Sequence, residues 1–244
     1  IYRRAVEQLR ASGAPAARPV WLDPLPEVLP LDRVQDPRAR GAEGVVATLG
    51  LVDDPSRQRQ FPLEWDFTGA GGNLVVLGAP QSGKSTLLRT MICSLALRYA
   101  PGEVAIYGIA YGGGGRVPLA DLPVGAGVAT RLDPERVTRT IAEVSNAVDQ
   151  REQLFREHGL AAPGQLRAAR AAGRVPPDVP GAVFLVIDGW AVFRENFELL
   201  EDRISDIAAR GSNYGVHVVL SITQAMQIRM RMQPSFTGRI DQKN

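Results

Sequence analysis

The stretch Gly78-Ala79-Pro80-Gln81-Ser82-Gly83-Lys84-Ser85-Thr86 leaves few folds open to this chain. It follows a short apolar run, residues 73–77, and precedes a segment, residues 85–99, that places Leu88, Met91, Ile92 and Leu95 on one helical face. Strand, glycine loop and helix in that order satisfy G-x-x-x-x-G-K-[ST] in the setting the motif requires. The glycines let the backbone wrap an anion with its N–H groups inward, and the helix N-terminus adds partial positive charge. Lys84 is then placed for the β and γ phosphates of a nucleotide, Ser85 for a Mg²⁺ ion and Thr86 for the α phosphate. All nine residues from Gly78 to Thr86 form the expected cradle, with a nucleotide and Mg²⁺ as ligands.

A strand and helix joined this way need further strands beside them, and the chain supplies them. Strands are expected at 45–49, at 61–67 (an edge, because of Pro62), at 104–109, at 183–187 and finally at 216–220. A helix opens at Asp133-Pro134 and carries Val137, Ile141, Val144, Val148 and Phe155 at helical spacing; another is expected over 195–210, stopped by Gly211. Residues 161–181, with four prolines and Arg167, Arg170 and Arg174, are expected to form an exposed excursion. The alternation predicts an α/β domain over residues 45–244, a mostly parallel sheet covered by helices on both faces. Residues 1–44 differ: a short helix near 2–10, then an extended Pro-rich linker. Within it Trp21 and Leu22 sit on stiff backbone that loses little entropy on docking, either in a groove or on the chain's own domain.

The bulk numbers exclude more than they suggest. With 28 basic against 26 acidic side chains the net charge is +2, too little to capture DNA or an anionic membrane by a whole-molecule field. Cys93 is the single cysteine, which excludes an internal disulfide and a four-cysteine zinc site. The longest apolar run ends at Asp188, far short of the roughly 18 residues a membrane-spanning helix needs. The first residue is Ile, and the chain is expected to be a piece of a longer protein.

Asp188, directly after Phe184-Leu185-Val186-Ile187, is the expected second Mg²⁺ ligand beside Ser85. Hydrolysis also needs a group that orients a water and takes its proton, and ring-forming ATPases commonly place a Glu directly after this Asp. Here Gly189 and Trp190 follow, and neither accepts a proton; Glu195 lies about two helical turns further on. The expectation is tight nucleotide binding with slow or absent turnover.

The loop run GAPQSGKSTLLRTMICSLAL, the strand VAIYGIAYGGGG, the segment DLPVGAGVATRLDPERVTRTI, the LVIDGW box and RGSNYGVHVVLSITQ together resemble the FtsK/SpoIIIE family of P-loop ATPases. Within that family they are most similar to the ATPase modules of EccC-type motors of type VII secretion, the LVIDGW box to the second module. The resemblance implies a RecA-like fold, head-to-tail assembly with adjacent modules into a hexameric ring, and a place on the cytoplasmic side of a membrane-anchored complex. It implies small WXG/Esx-type secreted proteins as cargo, and later modules that hold ATP for assembly, regulation or substrate reception. It makes ARPVWLDPLP an inter-module linker, with Trp21 and Leu22 as the docking residues, and gives Gln224 the place of a γ-phosphate sensor. Members of that family continue Gly238-Arg239-Ile240 into another strand with an acidic, Arg-containing turn before a segment like DQKN, so the resemblance implies residues missing between Ile240 and Asp241. A DNA translocase of the FtsK or HerA kind is the alternative from another class; it calls for a second carboxylate and a basic lumen. Arg229, Arg231 and Arg239 are candidates for a finger reaching a neighbour's nucleotide or for plain surface charge, and His217, between valines, is a core histidine.

Overall fold

The computed structural model describes residues 2–13, 21–36, 44–68, 72–111 and 122–243. The polyproline stretch through Pro15 and Pro19 and the glycine run 112–115 lie outside them. A helix, α1 (Tyr2–Ala11), buries none of its side chains. From Trp21 to Pro30 the linker has neither helix nor strand, and it meets the domain through Gln60 Nε2, which donates to Asp23 O at 2.8 Å. Its second anchor is Gln35, fully buried, whose Nε2 donates to Ser94 O at 3.0 Å.

β1 (Val46–Asp54) and β2 (Arg59–Asp66) form a separate antiparallel ribbon with Pro62 opposite Leu51, not part of the main sheet. The main sheet joins β3 (Leu74–Gly78), β4 (Val104–Ala110), β5 (Gly125–Thr130), β6 (Ala182–Asp188), β7 (Val216–Ile222) and β8 (Gly238–Gln242) in the order β5-β4-β6-β7-β3-β8. Every pairing in it is parallel. β8 is a strand the apolar pattern did not announce, since GRIDQ is polar and pairs on one side only; it carries Ile240 and Asp241 in one unbroken register against Val76 and Leu77.

Period-two alternation splits the core in two. Val183, Leu185 and Ile187 of β6 face one cluster with α3 (Pro134–His158), α5 (Trp190–Asn196) and α6 (Glu198–Gly211). Ala182, Phe184 and Val186 face the other, with α2 (Lys84–Arg98) and the β1–β2 ribbon. α3 opens as its sequence predicts: Asp133 accepts a hydrogen bond from Arg136 N, Pro134 occupies the first helical position, and Gly159 closes it at φ 62°.

Two expectations need correction. Residues 163–171 are not an excursion but a helix, α4 (Pro163–Ala171), whose Leu166 and Ala169 are buried against Phe155 and Val175 in a small third cluster. Arg170 and Arg167 look like solvated charge in the sequence, yet they donate to Val179 O and Gly44 O respectively and tie the helix down. The helix expected over 195–210 is two, α5 and α6, broken at Phe197 (φ −138°, ψ 52°). No Gly or Pro marks that break. Phe197 leaves the helix to stack on Phe193 and meet Tyr111 edge-on, so ring packing outweighs local propensity.

His217 is a core residue: 2% exposed, packed on Phe67 and Phe184, with Nδ1 2.7 Å from Gly72 O. Burial pushes its pKa down to about 4. The unfolded chain takes up a proton below its ordinary value of 6.5, whereas the native state refuses one until about 4. The stability His217 confers is therefore complete above pH 6.5 and lost as pH falls through that window, by about 3 kcal/mol at most. Urea unfolding from pH 7 to 4 is expected to show this slope in the wild type and a flatter one in His217→Gln.

Candidate functional site

β3 ends at Gly78, the loop turns through Gln81 (φ 64°) and Gly83 (φ 96°), and α2 begins at Lys84. A Cβ on Gly78 would force the Ser82 hydroxyl to move and press on Gln242, so the strand end is tightly packed against the loop and β8. The first backbone bond of α2 runs from Leu87 N to Gly83 O at 2.9 Å, which leaves the amides of Lys84, Ser85 and Thr86 without helical partners and directed out of the helix start. Lys84 Nζ arches over the loop to Gly78 O (2.8 Å) and Ala79 O (2.6 Å). Unpaired amides, the helix N-terminus and an ammonium thus belong to one loop, the set of groups an anion site draws on.

The second half of the site comes from β6 and β7. Asp188, 8% exposed, ends β6 and accepts from Ser85 Oγ through Oδ2 at 2.6 Å and from Ser221 Oγ through Oδ1 at 2.6 Å. Ser85 and Asp188 put two hard oxygen donors together, one from the loop helix and one from the sheet, and this set fits Mg²⁺. The backbone of Asp188 also receives Tyr111 N at 2.7 Å, which ties the end of β4 to the same spot.

These groups line one cavity of about 650 Å³, walled by Gln81, Lys84, Thr86 and Arg89 on the loop side and by Trp190, Thr223 and Gln227 on the other. Among its described lining residues Asp188 is the single carboxylate. Gly189 lines it at φ 92°, ψ 52°, a left-handed conformation that a side chain would strain. Glu195 is exposed near the end of α5 and is not a lining residue.

Other sequence candidates separate here. Gln224 is exposed and outside the cavity; the turn Ala225–Gln227 that follows it is closed by the Gln227 backbone N–H, which donates to Gln224 O at 3.1 Å. Thr223 and Gln227 stand on the wall instead, bonded to each other at 2.7 Å, and the Gln227 carbonyl is fixed by Trp190 Nε1 (3.0 Å) and Arg194 Nη1 (2.7 Å). The position where a strand ends is legible in sequence; which side chain beyond it turns inward is not. Ser221, Tyr111 and Arg89 were likewise missed, Ser221 because a lone hydroxyl in an apolar strand carries no signal without its neighbour. Arg229 is paired with Glu198 and the buried Glu201, Arg231 with Asp202 and Arg239 with Asp241. All three arginines are thus engaged within the chain. Trp21 is 78% exposed and Leu22 41% exposed.

A family model, FtsK/SpoIIIE, matches residues 48–241, a span that takes in the glycine loop and the carboxylate at the end of β6. The chain belongs to the FtsK/SpoIIIE family. Relatives within that family include EccC proteins of ESX secretion systems: the chain is 44% identical over 241 residues to EccC of Thermomonospora curvata, and 40% identical over 242 residues to EccC4 of Mycobacterium tuberculosis. Those matches cover 94% and 99% of this chain but only 18% and 19% of the relatives, so the chain spans about a fifth of their length. In structure it superposes on the cytoplasmic domain of the T. curvata type VII secretion ATPase EccC with a TM-score of 0.87 at 42% identity, covering 97% of this chain and 29% of that one. A second T. curvata structure, EccC ATPases 2 and 3 in complex with a signal sequence peptide, gives a TM-score of 0.79 at 43% identity over 85% of this chain and 37% of that one. The fold is accordingly the RecA-like P-loop ATPase of this FtsK/SpoIIIE group.

The left-handed turn at 189 carries a measurable cost for any side chain. Gly189→Ala is expected to lower unfolding stability by about 1–2 kcal/mol in urea titrations, more than an exposed helical substitution such as Arg156→Ala, which should stay within about 0.5 kcal/mol.

Proposed function

We propose that this FtsK/SpoIIIE domain is a nucleotide-holding module of a type VII protein-secretion motor, binding Mg-ATP tightly and turning it over slowly or not at all. Gly78 to Thr86 would cradle the triphosphate, with the amides at the start of α2 and the Lys84 ammonium on its phosphates. Ser85 and Asp188 would hold Mg²⁺, which when bound neutralises phosphate charge. Lys84 would exchange two carbonyl partners for phosphate oxygens, a gain because its new bonds join opposite charges.

The observation that carries the slow-turnover reading is the lining of the cavity. Its one described carboxylate has both oxygens engaged by serine hydroxyls, and the residue after it is a glycine held in a left-handed turn. Thr223 and Gln227 can orient a polar group, but neither accepts a proton as a base at neutral pH.

The wider setting is proposed from the relatives. Similarity to EccC, whose ATPases 2 and 3 have been solved with a signal sequence peptide, supports a module that sits beside other ATPase modules and takes part in receiving secreted cargo; WXG/Esx-type proteins as that cargo and a hexameric assembly are the rest of the proposal. Among the described residues no helix is long and apolar enough to cross a membrane, so a place at the cytoplasmic face of the membrane would depend on other parts of the complex. The exposed Trp21 and Leu22, next to the anchored Asp23, suit a linker that reaches a preceding module's groove. DNA translocation has less support, because the net charge is +2.

Two measurements test the nucleotide reading. The wild type is expected to bind ATP in the presence of Mg²⁺ and to release phosphate at or near background, whereas Lys84→Ala should lose about 100-fold or more in affinity. An ordinary ATPase rate of about 1 s⁻¹ or above, abolished in Lys84→Ala, would refute slow turnover while leaving the binding site intact.

A further inference from the structure

Ser221 has a position that its strand alone does not explain. β7 is apolar and buried from Val216 to Ile222 apart from His217 and Ser221, and Ser221 is only 3% exposed. A hydroxyl in that setting is costly unless both its donor and its acceptor capacity are used. Ser221 uses both: its proton goes to Asp188 Oδ1 at 2.6 Å, and its oxygen accepts from Gly189 N at 2.8 Å.

The pairing is set by strand register. β6 and β7 run parallel with Ile187 beside Leu220, so Asp188 and Ser221 are the next neighbours along the two strands. Phe184 and Val186 of β6 and Val219 of β7 pack in the α2 cluster, and alternation puts Asp188 and Ser221 on that same face, toward Ser85. Two serines therefore bracket one carboxylate, but in different roles. Ser85 stands at the start of α2 and gives its hydroxyl to Oδ2, the oxygen on the loop side. Ser221 stands in the floor with its hydroxyl spent on Oδ1 and on the Gly189 amide.

We propose that Ser221 is a positioning residue for the metal half of this site: it locks the Asp188 carboxylate so that Oδ2 is presented to Ser85 and the cation, and the same hydroxyl pins the Gly189 turn. Without it the carboxylate turns about a broad, roughly two-fold torsion, and the Gly189 amide loses its partner. Groups that orient a metal ligand from behind contribute on the order of 10- to 100-fold to metal affinity. The inference rests on the reading of the loop as a magnesium-nucleotide site and is independent of whether that nucleotide is hydrolysed.

The test is the affinity of a non-hydrolysable fluorescent ATP analogue with Mg²⁺ and with EDTA. Ser221→Ala is expected to cut the tightening that Mg²⁺ gives to the wild type by about 10- to 100-fold while leaving the EDTA value within about twofold; Ser221→Thr, which keeps the hydroxyl, should restore it. Ser221→Cys keeps the volume with a weak donor and should also lose most of the gain, which covers the case of an Ala variant that folds poorly. Alanine and cysteine variants with the magnesium gain intact, or with EDTA affinity lost in equal measure, would overturn the positioning role. A wild type with no magnesium gain would overturn the metal-site reading and this inference together, whereas measurable hydrolysis by the wild type would touch neither.

Discussion

The pairing of Asp188 with two serine hydroxyls is the contact on which the rest of the site depends. It exists because β6 lies between β4 and β7 in a parallel sheet, with α2 packed over the face that carries the even-numbered residues of β6. A slip of one residue would move the carboxylate to the α3–α6 face, away from the loop. The two-sided apolar packing of β6, buried along its whole length, resists such a slip. The register is thus a core property with a functional result. The helix that carries the loop is held from behind as well, since Ser94 Oγ accepts from Thr48 N and Ser94 O accepts from the linker's Gln35.

Holding and hydrolysing a nucleotide make separate demands. Holding needs amides, a helix N-terminus, a lysine and oxygen donors for a cation, and the loop before α2, Lys84 and the Ser85–Asp188 pair are the candidates for them. Hydrolysis needs in addition a base beside the attacking water, and the described wall of the cavity offers hydroxyls, an amide side chain, an indole and a glycine turn. Tight binding without turnover is useful in an assembly, because a bound ligand stabilises the folded state by mass action and leaves it unchanged from cycle to cycle.

Much of this was legible in the sequence, for stated reasons. A glycine loop between an apolar strand and a helix fixes the local geometry, and four apolar residues before an Asp fix the end of a buried strand. Gly189 stood out because it occupies a position where chemistry asks for a carboxylate. Features set by tertiary contact were not legible. Ser221 becomes meaningful only beside Asp188, 33 positions away. Phe197 breaks a helix because of rings it meets in space. α4 looks like a polar loop until Leu166 and Ala169 are seen to meet Phe155, and β8 is too polar to be recognised before it is paired with β3. The resemblance gives Gln224 the sensor place beyond β7, yet the chain turns there so that Thr223 and Gln227 line the cavity.

The most direct test is the fate of one equivalent of radiolabelled ATP bound to the purified protein with Mg²⁺ and followed by quenching over hours. The account predicts that the bound nucleotide is recovered as ATP, and that it leaves the protein unchanged when chased with excess unlabelled ATP. Conversion of the bound label to ADP within seconds would contradict it.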